Sequence, residues 1–155
     1  MDVRRATDDD VPALRRLIND AYRPLGDMGL NFTGVDQDEE TTRRRMKDRE
    51  VYVLEHDGRI VATVTVGMKV DQHGPSLYVN QLAVEPALQR QGLGARLMDI
   101  AEARAKELDA PCVRLDTAIP AAHLRRWYEA RGYVAVGEEQ WPTKTYRSVV
   151  LEKRV

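Results

Sequence analysis

Apolar residues recur along this chain with two periods, and the switches between them mark out its elements. Val11, Leu14, Ile18 and Ala21 or Tyr22 fall at helical spacing, so an amphipathic helix is expected over residues 8–22. Thr7 ahead of Asp8, Asp9 and Asp10 supplies a cap and an acidic first turn, and Pro12 sits early enough to be tolerated. A short strand over 2–6 precedes this helix. Pro24, Gly26, Gly29 and Gly34 interrupt the pattern and make 23–36 a loop. Residues 37–48, acidic first and basic last, suit a second, short helix. The period then falls to two. Residues 51–55 read as a strand, Asp57-Gly58 as a hairpin turn, and Ile60, Ala62, Val64, Val66, Met68 and Val70 as one apolar face of a long strand. Gly74-Pro75 turns the chain into a strand over 77–84, stopped by Pro86.

Leu93, Leu97, Ile100 or Ala101, Ala105 and Leu108 restore helical spacing over 92–108, with Glu102 and Lys106 placed to pair four residues apart. A strand over 112–117, a helix over 121–131 ended by Gly132, and strands near 133–137 and 145–153 close the chain. The expected fold is α/β, one mixed central sheet of about seven strands with about four helices. The strands at 77–84 and 112–117 should form a parallel pair with a right-handed crossover.

The length of 155 residues suits a single domain over 1–155. Hydrophobic residues at 43% and charged residues at 32% exclude general disorder. With 24 Lys+Arg against 25 Asp+Glu, no strong global field exists, so any anion site must be built locally. The run Arg43-Arg44-Arg45-Met46-Lys47 reads as a solvated helix face rather than a nucleic-acid patch, because acids flank it and no aromatics interleave. No nucleic-acid partner is expected. Cys112 stands alone, which precludes an internal disulfide and a cysteine-rich metal site; it reads as a small core residue. The three histidines show no metal spacing, and His73 and His123 read as a loop surface and a helix start. No apolar stretch approaches the roughly 20 residues that span a bilayer, and no apolar signal core follows Met1-Asp2-Val3-Arg4-Arg5. The cytoplasm is the expected location, with no membrane partner.

The densest chemical signal runs from Asn80-Gln81-Leu82-Ala83-Val84-Glu85-Pro86 into Gln89-Arg90-Gln91-Gly92-Leu93-Gly94. A buried strand enters a turn with two glycines, and a helix starts there. The first amides of a helix lack internal partners, its macrodipole is positive at that end, and glycine lets the backbone approach an anion. The turn is therefore a candidate diphosphate site, with Arg90 and Arg96 at its rim. A mononucleotide P-loop would need Lys-Ser or Lys-Thr after the last glycine, where Ala95-Arg96 stands. A dinucleotide fingerprint would need Gly or Ala where Leu97 stands. Both are disfavoured.

The order Gln-x-x-Gly-x-Gly after a strand ending in Val-Glu-Pro resembles motif A of the GNAT N-acetyltransferase superfamily, which binds the pyrophosphate of acetyl-CoA. The stretch His123-Leu124-Arg125-Arg126-Trp127-Tyr128-Glu129-Ala130-Arg131-Gly132-Tyr133 is similar to the family's second signature, and the element order matches the family fold end to end. The resemblance implies a bulge in the strand over 77–84 and a splay from its neighbour, with the pantetheine arm entering between them. It makes Leu82, Ala83 and Val84 the main-chain partners of that arm, with the Leu82 amide aimed at the thioester carbonyl; a donor so placed is worth about 3 kcal/mol. Gln89, Arg90, Gln91, Gly92, Leu93, Gly94, Ala95 and Arg96 would hold the diphosphate, and Ala121, Leu124 and Tyr128 the arm. Ala121 stands where the family commonly has an asparagine. Leu82 and Val84 are equally expected as buried strand residues.

The implied reaction is direct attack of an amine on acetyl-CoA. A lysine-like amine is neutral to only one part in about 2,500 at pH 7, so a base or a less basic amine is required. The leaving thiol, with a pKa near 8.5, is more acidic than an ordinary tyrosine near 10. Tyr128 as general acid must then work by positioning and partial transfer, or with a lowered pKa; its bland role is a half-buried helix anchor. Asp116 is a candidate base through water, but pairing with Arg114 on the same strand face is the favoured reading. Tyr22 and Phe32, Tyr78 and Asn80, and Trp141 are candidates to shape the acceptor site, from the 23–36 loop, the central strand and the 138–145 loop. The acceptor is expected to be a small-molecule amine; alternatives are a protein or peptide amine, or a non-catalytic acyl-CoA sensor. The resemblance implies no metal, and a homodimer is compatible with it.

Overall fold

The computed structural model describes residues 1–155. Along the chain run β1 (Asp2–Arg5), α1 (Val11–Asp27), α2 (Thr33–Asp36), α3 (Glu39–Met46), β2 (Glu50–His56), β3 (Arg59–Asp71), β4 (Gly74–Val84), α4 (Leu93–Glu107), β5 (Cys112–Ala118), α5 (Ala122–Ala130), β6 (Val134–Glu139) and β7 (Ser148–Arg154). The seven strands make one sheet in the order β1-β2-β3-β4-β5-β7-β6. Every neighbouring pair is antiparallel except β4 and β5, which are parallel as expected. Asp57 and Gly58 both take positive φ (52° and 75°), the signature of the tight turn whose twist suits a hairpin. No helix is long and apolar enough to cross a membrane.

The pleat sorts apolar residues to two faces. Val51 and Val53 of β2 pack with Leu14, Leu17 and Ile18 of α1 on one side. Leu54 of the same strand joins Leu97, Met98, Ala101 and Ala105 of α4 on the other. Because helices cover both faces, residues 61–66 of β3 are all buried, and the one-sided alternation expected there gives way to burial on both sides. Past the helices the hairpin of β3 and β4 projects, leaving Met68 and Val70 exposed.

Several expectations need correction. Helix α1 runs through Pro24 to Asp27 instead of ending at residue 22. Proline removes one amide bond near the helix end, while continuation buries Leu25 against Leu30, Ala118, Ala121 and Tyr146. The expected 23–36 loop also contains the one-turn helix α2, giving five helices rather than four. Glu102 does not pair with Lys106. It accepts from Lys153 at 2.9 Å, Arg131 at 3.1 Å and the Tyr133 hydroxyl at 2.9 Å, an arrangement that staples α4 to the strands after α5.

Glu50 at the start of β2 receives two hydrogen bonds from Arg104 of α4, both 2.9 Å. The Arg104 guanidinium holds this carboxyl down to about 2. An unfolded glutamate titrates near 4.3, so the folded chain prefers the ionised form, and the stabilisation is complete above that value and drains as pH falls toward 2. The stability difference between the native chain and Glu50→Gln, measured by urea denaturation, should be largest at neutral pH and shrink to nothing between about pH 5 and pH 2.

Candidate active site

The site is organised by one irregularity in β4. Asn80 pairs with Thr65 and Ala83 with Thr63, so Gln81 and Leu82 together oppose the single residue Val64. Gln81 takes φ +56°, a left-handed conformation that a β-bulge demands and a long side chain resists. It is held by its own side chain. Gln81 donates to Thr65 Oγ1 at 3.2 Å and accepts from Gln37 Nε2 at 2.9 Å. The same Gln37 amide donates to Thr42 Oγ1 at 2.9 Å and accepts from Arg45 Nη1 at 3.0 Å. Gln37, Thr42, Thr65 and Gln81 are all buried.

Beyond the bulge the sheet opens. Strands β4 and β5 pair only at Leu77 with Val113 and Tyr78 with Arg114. Past these residues a cleft of about 500 Å³ lies between the strands, floored by β4 and walled by α5. Leu82, Ala83, Val84, Gln89, Arg90, Gly92, Leu93, Gly94, Ala95, Leu124 and Tyr128, all candidates from the sequence, line it. Gln91 does not; it lies exposed on the turn. Arg96 does not either, because its guanidinium reaches the Met1 carbonyl at 2.8 Å. Ala121 is fully buried in the cluster with Leu25 and Tyr146, behind the wall. Trp127, not among the candidate site residues, also lines the cleft, as does His123, which stands at the start of α5 as the sequence reading has it.

The turn at the cleft mouth has the character an anion needs. Gly92 caps α4 with φ +84°, and a Cβ there would project into open space. Gly94 differs: a Cβ there would meet the Trp127 ring at 3.4 Å, an ordinary contact that puts α4 and α5 side by side at the mouth. Gln89 Nε2 donates to the Val84 carbonyl at 3.2 Å and fixes the turn to the strand end.

A second cavity of about 200 Å³ meets the first. Tyr22, Phe32, Leu82, Asp116 and Tyr128 line both and so mark their junction. Asn80 and Trp141 line the second cavity, as expected. Tyr78 stands behind it and donates to Asp116 Oδ2 at 2.5 Å. Trp141 Nε1 donates to Asp116 Oδ1 at 3.3 Å, so both carboxylate oxygens are anchored at the junction. The favoured Arg114–Asp116 pair does not form. Arg114 is fully buried and turns to Glu152 at 2.7 Å, Asp71 at 3.2 Å and the carbonyls of His73 and Gly74. Those partners offer a buried guanidinium more oxygens than one aspartate could.

Burial keeps the local phenols protonated. It pushes Tyr22 and Tyr146 up to about 12. Tyr128 is raised by burial, with the charges of Tyr22 and Asp116 adding to it. Burial thus works against a lowered-pKa route for Tyr128 as an acid. Its ring stands edge-on to Trp127 and Tyr133, at centroid distances of 5.0 and 5.8 Å. The Tyr22 hydroxyl donates to the Leu82 carbonyl at 3.1 Å, tying α1 to the bulge.

Sequence reasoning missed Arg45, Lys144 and Tyr146, which also line the second cavity. Arg45 departs from the solvated face assigned to its run: it is half-buried, whereas Arg43 and Arg44 are exposed. Its spacing was the available signal, because Thr42 and Arg45 lie three apart on one side of α3. Lys144 is held by the Asn31 carbonyl at 2.9 Å and Thr33 Oγ1 at 3.0 Å. Phe32 stacks on Tyr146 at 4.9 Å, and Asn31 exchanges bonds with Thr143 and Thr145. These contacts clasp the two loops over the cavity.

A mixed sheet split between its parallel strands, with a glycine turn at the mouth of the split, is the arrangement of an acetyl-transferring enzyme. Residues 11–133 match the Acetyltransferase (GNAT) family, and the chain belongs to it. An S-(2-succino)cysteine N-acetyltransferase of Bacillus subtilis is 33% identical over 98% of this chain and 94% of its own. An S-alkylcysteine N-acetyltransferase of the same organism is 26% identical over 88% and 80%. The crystal structure of a ribosomal-protein-alanine N-acetyltransferase from Brucella melitensis superposes with TM-score 0.77 at 18% identity, covering all of both chains. Solved structures of this fold include complexes with acetyl-CoA. The chain is an acyltransferase.

Replacing Gln81 by leucine removes the acceptor of one Gln37 N–H, although Gln37 keeps Thr42 and Arg45, and leaves the buried Thr65 hydroxyl without its partner, while the left-handed backbone persists. Gln81→Leu should lose about 2 kcal/mol of stability, read as a fall in the urea midpoint.

Proposed function

We propose that this acetyltransferase moves the acetyl group of acetyl-CoA to the amine of a small amino-acid derivative, in the class of S-substituted cysteines, by direct attack in a ternary complex. The observation that carries this reading is the junction: two cavities of unequal size meet at Tyr22, Phe32, Leu82, Asp116 and Tyr128. The larger suits an elongated carrier and the smaller a compact acceptor. Relatives named for cysteine conjugates support the acceptor class. The clasped, aromatic-lined second cavity favours a free small molecule over a peptide, for which an open acidic groove would be suited.

Acetyl-CoA supplies an activated acetyl thioester. The residues present fit it: open space at Gly92, unpartnered helix amides at residues 93–95, and an apolar cleft between β4 and α5. The backbone from Gln89 to Ala95 holds the diphosphate, with Arg90 at its rim. Leu82, Ala83 and Val84 hold the arm along β4, where Gln81 and Leu82 fall outside the β3 register. The Leu82 amide stabilises charge growing on the carbonyl oxygen. Asp116, fixed by Tyr78 and Trp141, anchors the acceptor's ammonium at the junction and takes its proton directly or through water. Tyr128 remains a phenol and donates a hydrogen bond to the departing sulfur. Full proton transfer from an ordinary tyrosine to a thiolate is already uphill by about 2 kcal/mol, and burial raises that cost.

Thiol release from acetyl-CoA, followed with a panel of S-substituted cysteines and unrelated amines, tests the reading; a protein that binds acetyl-CoA but releases no thiol with any amine would be a sensor. Tyr128→Phe should lower turnover by more than about tenfold with little change in acetyl-CoA affinity. Gly92→Glu sets bulk and a negative charge at the turn and should weaken acetyl-CoA binding by more than about tenfold by calorimetry, with the domain still folded and its unfolding temperature lowered by only several degrees, the cost of a side chain at φ +84°.

A further inference from the structure

The second cavity has a charge pattern that a neutral acceptor leaves unbalanced. Three ionised side chains line it: Arg45, Lys144 and Asp116. Lys69 is nearby but outside, over the rings of Tyr78 at 4.1 Å and Trp141 at 5.4 Å. Arg45 makes one hydrogen bond, to the neutral Gln37 amide, although a guanidinium carries five N–H donors. Lys144 bonds two neutral oxygens and keeps a third donor. Neither cation forms an ion pair, whereas buried Arg114 has two carboxylates. Both cations are half-buried and desolvated, and they repel one another. The one carboxylate of the cavity, Asp116, gives its oxygens to Tyr78 and Trp141 and pairs with neither cation, so two desolvated cations share a single unpaired counter-charge and the pocket favours a further anion.

Charge counting narrows the ligand. This step rests on the amino-acid reading given above. Asp116 balances the acceptor's ammonium, and the α-carboxylate balances one cation. One positive charge is left over. We propose that Arg45 and Lys144 form a two-carboxylate subsite, so that the preferred acceptors are amino acids bearing an acidic group on the side chain as well as the α-carboxylate. Arg45 suits this role because Gln37 holds one edge of its guanidinium while the others stay available for carboxylate oxygens. The link through Gln37 to Gln81 sets this charge in fixed relation to the bulge. Lys144 faces the same cavity from the far loop.

The test compares two acceptors of equal size, S-carboxymethylcysteine and S-carbamoylmethylcysteine, with acetyl-CoA and purified enzyme, reading kcat/KM by thiol release. The native enzyme should prefer the acid by about tenfold or more, the effect of a charge-assisted hydrogen bond. Arg45→Gln and Lys144→Gln should each pull that ratio toward one, chiefly through KM. A purely structural role for Arg45 would lower both acceptors together and leave the ratio unmoved. Lys144→Gln, outside the Gln37 network, decides the matter if Arg45→Gln melts early. A native ratio near one, or a ratio unchanged in both variants, overturns the carboxylate subsite while the amino-acid reading stands. Thiol release with other amines but with no amino acid overturns that reading and this inference with it.

Discussion

One backbone conformation governs the functional half of this protein. Gln81 is left-handed in the middle of a buried strand, which costs about 1–3 kcal/mol. Glycine would relieve the strain but could not reach Gln37 and Thr65. The side-chain bonds offset the strain and convert a flexible position into a fixed one. Everything that follows is geometric. Two residues opposite one bend the strand, pairing with β5 stops after Tyr78, and the gap becomes the cleft. Leu82, next to the strained residue, sits at the meeting of both cavities.

The same region manages protons by exclusion. Tyr22, Tyr78, Tyr128 and Tyr146 surround Asp116, and all four are pushed upward, mainly by burial. They are donors that do not ionise at neutral pH. Asp116 is then the only anionic side chain lining the second cavity, with its oxygens fixed by a phenol and an indole. In the proposed reaction a positively charged amine would be drawn to that point, and a sulfur leaving nearby would meet a neutral O–H rather than a second negative charge. Burial alone would set that division of labour.

How much of this was legible depended on whether the deciding interactions were local. The glycine turn and the helix with Tyr128 stand out because caps, turns and periodicity act over a few residues. The order of elements along the chain followed from alternation and hairpin turns for the same reason. The failures were contests settled at long range. Pro24 signals a helix end, but Leu25 gains more from its buried neighbours than the chain loses in one amide bond. Glu102 and Lys106 have ideal helical spacing, yet Lys153 and Arg131 arrive from 51 and 29 residues away. Arg114 and Asp116 share a strand face, and both found better partners on other strands. Arg45 looked like surface because its neighbours are charged; what draws it inward is Gln37, itself fixed by Gln81, 44 residues on.

That difference maps onto the two substrates. The carrier cleft is built largely from one continuous stretch, β4 through α5, so its chemistry can be read from adjacent residues. The acceptor cavity takes Tyr22, Phe32 and Arg45 from one end of the chain and Trp141, Lys144 and Tyr146 from the other. These halves are joined by contacts such as Asn31 with Thr145, 114 residues apart. Arg45, Tyr22 and Trp141 are tied to the sheet, through Gln37 and Gln81, through Leu82 and through Asp116 respectively, whereas the Lys144 side chain is held only by the facing loop, so that position can change without disturbing the bulge or the glycine turn. In the proposed reaction, a fixed carrier site beside an acceptor site that can vary at such loop positions would let one reaction serve different amines. In this chain that cavity carries two cations without an ion pair, and this feature, unlike the order of elements, leaves no local mark in the sequence.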